Sequence, residues 1–301
     1  MERSAFHSLL AAMNQRAAPG QARNGYTLFI ISGGLQLHPA RRLRRALEQP
    51  LRGLLPLNRP VVRYARDLAY LRAKAANIRE LSEAGVEIGS HAVRHDHGRA
   101  WDLARWRYEI RDHDRISSLL DLPRPLGFRA PFLEWNEHLY TALAESGIRY
   151  DCSRTGGHGW PRRHPRTGLW LFSVPTVQVP GYEGEVLYFD DNMRRVLGPM
   201  ARSRGLRGEA AERWMEDVYV EVGLEAFERR YQGNRAPFLV SGHGTLRAAS
   251  MRLLRRVCRR EGVRCATFME SVGYLEAHPE LEGAPPLHGQ VVGPAPRRRR
   301  S

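Results

Sequence analysis

Short buried-strand runs alternate with helical stretches along most of this 301-residue chain, and that alternation leaves few folds open. "YTLFIIS", residues 26–32, is aromatic and β-branched and ends at Gly33-Gly34, which marks a strand followed by a turn. An arginine-rich helix is expected around 39–47. Residues 67–84 carry Leu68, Leu71, Ala75, Ile78 and Leu81 at helical spacing, stop at Gly85 and give way to the alternating "VEIGS". A helix over about 102–120, a short "LGFRAP" strand, a helix over about 137–146 and the strand "IRYDCS" continue the series. "FLVSGHG", residues 238–244, reads as another buried strand; a helix over 248–260, a last strand "VRCATF" and a closing helix from Met269 follow. Repeated β/α units predict a parallel sheet with helices packed on it. Residues 156–191 break the rhythm: rich in Gly, Pro and Trp, they read as long loops with short strands, forming one wall of a cleft. Ahead of the first strand, Phe6, Leu9, Leu10 and Met13 predict a helix over 4–13.

With 42% hydrophobic residues the chain can bury one sizeable core. It divides into an N-terminal helix and linker at 1–25, a domain at 26–278, and a Pro/Gly/Arg-rich tail at 279–301 that lacks the apolar content to fold. No apolar run approaches the roughly twenty residues a membrane span needs, and the N-terminus lacks a signal-peptide core, so the chain as given reads as soluble and cytoplasmic. A net charge of +15 raises the question of nucleic acid. However, Lys74 is the sole lysine among 47 basic residues, the signature of a GC-rich coding bias rather than of a dedicated anion-binding face, so specific nucleic-acid binding is not expected. Cys152, Cys258 and Cys265 form no C-x-x-C pair and indicate neither a disulfide framework nor a zinc ribbon; a reducing compartment is favoured.

In β/α proteins functional groups gather where strands end. His91, Arg129, Asp151 and His243 each sit at the end of a predicted strand. His91 and His95, four residues apart in "VEIGSHAVRHDHG", can converge on one cation through neutral imidazoles, with a carboxylate as the usual third ligand. The spacing alone is a weak signal, since loop histidines produce it by chance.

"GFRAPFLEWN" at 127–136, "YDCS" and the later "VSGHG" strengthen it. Taken in order, these motifs resemble the NodB-homology polysaccharide deacetylases, carbohydrate esterase family four, over about residues 26–275. "EIGSHAVRH" is similar to that family's metal motif, with Ala92 where a Ser or Thr is usual, and "FRAPF" to its third motif. The resemblance implies a distorted (β/α) barrel and a divalent metal, typically zinc, held by His91 and His95 with an aspartate. It implies His243 as general acid, Asp151 as the carboxylate orienting it, and Arg129 steadying a general-base aspartate. Pro131 and Phe132 would lie against substrate, with backbone near Phe132 at the oxyanion, and Val240 would line an acetyl pocket. The implied substrate is an N-acetylated glycan or oligosaccharide.

The family's first motif, an Asp-Asp pair ending a first strand, has no counterpart before Tyr26. The expectation is that this strand is encoded upstream of Met1; the competing account is its loss, which leaves a glycan-binding pseudoenzyme. A cyclic amide hydrolase of the same fold is the alternative activity. Asp190-Asp191 in "YFDDN" lack the following Gly and stand late in the motif order, so they read as a loop carboxylate pair. His97 is expected to face solvent, and His38, His113, His138, His158 and His164 to be surface or structural.

Overall fold

A computed structural model describes residues 27–30, 75–156, 159–184, 186–243 and 245–284. The expected helices at 4–13 and 39–47, His38, His158 and the basic end of the tail lie outside the described residues. The chain divides into two compact units, the first containing residues 25–148 and the second residues 149–301.

In the first unit, β1 (Thr27–Ile30), β2 (Glu87–Ser90) and β3 (Gly127–Phe128) run parallel, with Ile30 opposite Ser90 and Ser90 opposite Phe128. Helix α1 (75–83) turns at Gly85, whose φ of 91° favours glycine, and delivers the chain into β2. Helix α2 (Leu103–Leu119) starts where the Asp102 side chain accepts from the Arg105 N–H. It buries Trp106, Ile110 and Ile116 on one face. Helix α3 (Glu137–Glu145) is capped in the same way by Asn136 and buries Leu139, Tyr140 and Leu143.

In the second unit, β4 (Tyr150–Thr155) pairs in parallel with β6 (Trp170–Val174), and β5 (Arg162–Arg163) pairs antiparallel with β6. A two-stranded ribbon, β7 (Thr176–Val177) with β8 (Leu187–Tyr188), matches the expected run of loops and short strands. Helices α4 (Arg194–Ser203), α5 (Gly208–Gln232), α6 (Arg247–Cys258) and α7 (Phe268–Ala277) complete it. Its core joins Phe189, Leu197, Met215, Tyr219, Phe227 and Leu253. Gly223 lets α5 lie against α6: a Cβ there would stand 2.6 Å from atoms of Leu253 and Phe189.

The α/β class, with parallel strands and packed helices, is as the sequence predicts. Three local expectations are corrected. "FLVSGHG" is not a strand, since only Ser241 makes a bridge, to Asp190; Phe238 instead packs its ring against Phe189 and Phe227. "VRCATF" is not one either, because Thr267 is committed to a capping box with Glu270 that starts α7. Cys258 and Cys265, whose spacing indicated no disulfide framework, are bonded to each other, their Cα atoms 5.6 Å apart across the turn that ends α6; Cys152 is a buried free thiol.

Candidate functional site

Each unit presents one group of chemically competent side chains. In the first, the chain leaves β2 through His91 and Ala92, and Ala92 is held at φ 60°, a left-handed conformation uncommon for a residue with a Cβ. Fully buried Glu109 of α2 holds that turn in place: its Oε2 accepts the N–H groups of Val93 and Arg94, at 3.1 and 2.9 Å, and its other oxygen lies 2.7 Å from the Arg105 guanidinium. Downstream, Gly98 sits on Trp106, where a Cβ would come within 2.5 Å of the indole. Asn136 ties the far end, donating to the carbonyls of Arg99 and Trp101 while accepting from the Trp106 indole N–H.

The turn presents His91 and His95 with ring centroids 5.2 Å apart at 70°. Nδ1 of His91 lies 2.5 Å from the carbonyl oxygen of Arg129. A carbonyl can only accept, so Nδ1 carries the proton and Nε2 keeps its lone pair, the tautomer a metal ligand needs. Two imidazoles bound tetrahedrally to one zinc, with Zn–N about 2.1 Å, place their centroids roughly 5 Å apart, so the observed spacing fits a shared ion. The Arg129 backbone also ties this segment to β2, its N–H donating to the Ser90 carbonyl. Pro131 is buried, whereas Phe132 is half exposed, strained at φ 55°, and touches His95 edge-on and His97 face-on. His97 is 73% exposed, as expected.

In the second unit, Asp190 and Asp191 are both buried, whereas His243 is half exposed. The Ser241 bridge brings the His243 loop beside Asp190, and Nδ1 of His243 lies 3.0 Å from Asp190 Oδ1, 3.7 Å from Asp191 Oδ1 and 2.9 Å from the Asn192 amide. Asp191 also accepts the N–H groups of His243, Thr245 and Leu246. Burial pushes its carboxyl up, but the imidazole and those three N–H groups outweigh burial and hold it near 2. Hydrogen bonds to Asp190 and then Asp191 raise His243 to about 9, against the opposing effect of burial. Oδ2 of Asp190 is buried without a hydrogen-bond partner. Asp190, Asp191 and His243 are the one group of three among the described residues with ligand atoms close enough, within 4.8 Å, to hold a cation.

Asp151 is fully buried, accepting from the Ser153 N–H and hydroxyl. Val240 is half buried against the second unit's core. Asp190, set aside as a loop residue, is the carboxylate at the His243 imidazole. The Asp-Asp dipeptide was its sequence signal, but the bridge that buries it is a long-range pairing no local pattern displays. His113 and His164 are buried, and His164 bonds Thr167, in keeping with structural roles.

Residues 54–150 match the family model of the polysaccharide deacetylases. The resemblance to polysaccharide deacetylases holds. This matched segment contains the His91–His95 turn and "FRAPF". A Mycobacterium smegmatis protein assigned to the polysaccharide deacetylases superposes with a TM-score of 0.50 at 17% identity, over 77% of this chain and 73% of its own. A Pseudomonas aeruginosa PAO1 protein of the same assignment gives 0.49 at 18% identity, over 70% and 67%. The family 4 carbohydrate esterase of Streptomyces lividans gives 0.38 at 15%, over 85% and 84%. The first likeness shows a shared deacetylase-type β/α fold and nothing finer. No curated protein matches the sequence. No helix among the described residues is long and apolar enough to cross a membrane.

Proposed function

We propose that this chain is a metal-dependent hydrolase that removes the acetyl group from an N-acetylated sugar or glycan. The observation that carries the reading is the His91–His95 turn: it lies inside the segment that matches the deacetylase family, at a spacing that suits one ion, with the His91 tautomer set by Arg129. His91 and His95 would hold a divalent ion, zinc by the chemistry of the imidazole donors. Such an ion polarises the acetyl carbonyl and lowers the pKa of its bound water.

The chain's own groups supply the rest. Glu109 keeps the histidine turn in its strained shape. Backbone near Phe132 is offered to the oxyanion and Val240 to the substrate's apolar surface, while buried Pro131 supports the Phe132 turn from beneath. His243 remains charged at neutral pH because two carboxylates face it, and it delivers its proton to the departing amine nitrogen. Asp190 takes the orienting role that the family resemblance implies for Asp151, and Asp151 serves to shape the end of β4 through Ser153.

The test separates ligand from acid. His91→Ala or His95→Ala should remove zinc measured after dialysis. His243→Ala should retain zinc yet lose about a hundredfold or more in turnover. Equal zinc loss from His243→Ala and His91→Ala would relocate the metal to the Asp190–Asp191–His243 group. Hydrolysis of a ring amide but no N-acetyl sugar would favour the cyclic amide hydrolase, and sugar binding without acetate release the pseudoenzyme.

A further inference from the structure

Residues 194–207, "RRVLGPMARSRGLR", contain five arginines and no acid, although the chain carries 32 acidic residues. A coding bias toward arginine explains such a stretch, and a longer acid-free, arginine-rich one runs over 229–260; what sets 194–207 apart is how its arginines are gathered. The structure gathers four of the five. Arg194, Arg195, Arg202 and Arg207 line a groove of about 580 Å³ between α4 and the first turns of α5, and Glu212 is the sole acid in its lining.

Glu212 is already matched, forming a bidentate pair with Arg194. Among the described residues, Arg195 and Arg202 pair with no carboxylate, and Arg207 donates only to the carbonyls of Arg202 and Leu206. No side chain caps α5, so the N–H groups of its first turn and the positive end of its dipole add to the field there. Glu209 in that turn is turned to Arg213. Pro199 has no N–H to offer the Arg195 carbonyl, leaving a backbone acceptor beside the guanidinium groups, and Leu206 and Met215 supply an apolar floor. A cationic rim over an apolar floor, in a volume typical of small-ligand sites, suits a sugar ring bearing a negative group.

Arg194 of the groove is linked to the His243 group through hydrogen bonds. Arg194 directly follows the Asp191–Met193 turn and reaches the Thr245 carbonyl, while Thr245 donates its N–H and hydroxyl to Asp191. We propose that the groove seats an anionic sugar, carrying a carboxylate or a phosphate, next to the N-acetylated unit being processed. The substrate is then an acidic N-acetylated glycan rather than a neutral one. Only the identity of the neighbouring unit rests on the deacetylase reading.

The zinc-loaded full chain is titrated calorimetrically at low salt with three tetrasaccharides: alternating glucuronate and N-acetylglucosamine, phosphorylated N-acetylglucosamine, and neutral N-acetylglucosamine. At least one acidic ligand should bind about tenfold tighter than the neutral one, the preference falling with added salt and disappearing in Arg195→Glu/Arg202→Glu. Arg256→Glu, outside the groove, should keep it. Which acidic ligand wins distinguishes carboxylate from phosphate. Equal binding of all three, or a preference that survives the double reversal, overturns the proposal. A groove-dependent preference without acetate release would leave the groove standing and remove the deacetylase reading.

Discussion

Glu109 is the buried charge on which the histidine turn depends, and its removal should be felt in both stability and metal binding. Fully enclosed, it accepts two backbone N–H groups, from Val93 and Arg94, and lies 2.7 Å from Arg105. Hydrogen bonds to a charged acceptor contribute about 1.5–3 kcal/mol each. The Arg105 contact is close but off the hydrogen-bonding axis, and that side chain is 32% exposed, so it rehydrates when its partner is lost and adds little. Glu109→Leu should therefore cost about 3–5 kcal/mol in urea unfolding, the range for a broken buried charge network. Glu109→Gln keeps one acceptor oxygen and should cost about 1–2 kcal/mol. Supporting groups behind metal ligands affect affinity by about ten- to a hundredfold, so calorimetry should show zinc binding weakened by that factor in the Gln variant, with His91 and His95 both intact. A Leu variant within about 0.5 kcal/mol of wild type, or a Gln variant with unchanged zinc affinity, would refute the account of the turn.

Gly223→Ala should cost about 1–3 kcal/mol by forcing α5 off α6, read as a lower thermal midpoint with zinc affinity unchanged; a neutral effect would mean the two helices do not touch as described. For His243, the folded pKa of about 9 lies above the ordinary 6.5, so its contribution is complete below about pH 6.5 and is lost as pH rises through 9. Because the side chain is half exposed, that contribution is about 1 kcal/mol after allowance for screening, and the gap between wild type and His243→Gln should close between pH 6 and 10. Asp191, held near 2, acts in the opposite sense: its contribution is present above about pH 4 and disappears as pH falls through 2. A pH-independent gap for His243→Gln would show that the imidazole is not held charged.

What the sequence revealed was local. Helices α2, α3, α6 and α7 were legible because their apolar residues repeat at helical spacing, whereas the Thr267 cap of α7 was hidden in what read as a strand. The His91–His95 turn was legible because strand, glycine and paired histidines are contiguous. "FLVSGHG" misled because an apolar run looks the same whether it joins a sheet or packs its rings on a helix, as Phe238 does. Helix α5 passed unnoticed although Met215, Tyr219, Val222, Ala226 and Arg230 recur along one buried stripe, since it carries no motif residue. Asp190 was out of reach for a different reason: its importance arises from a bridge to Ser241, fifty-one residues away in sequence, that turns a surface-looking dipeptide into a buried pair facing His243. Cys258 and Cys265 likewise meet only because α6 ends in a tight turn.

The most direct test is acetate release from an N-acetylated oligosaccharide by protein stripped of metal and then reloaded with zinc. The account predicts no release from the stripped protein, release on adding zinc, and none from zinc-treated His91→Ala. Release that persists in the stripped protein and in His91→Ala would contradict it.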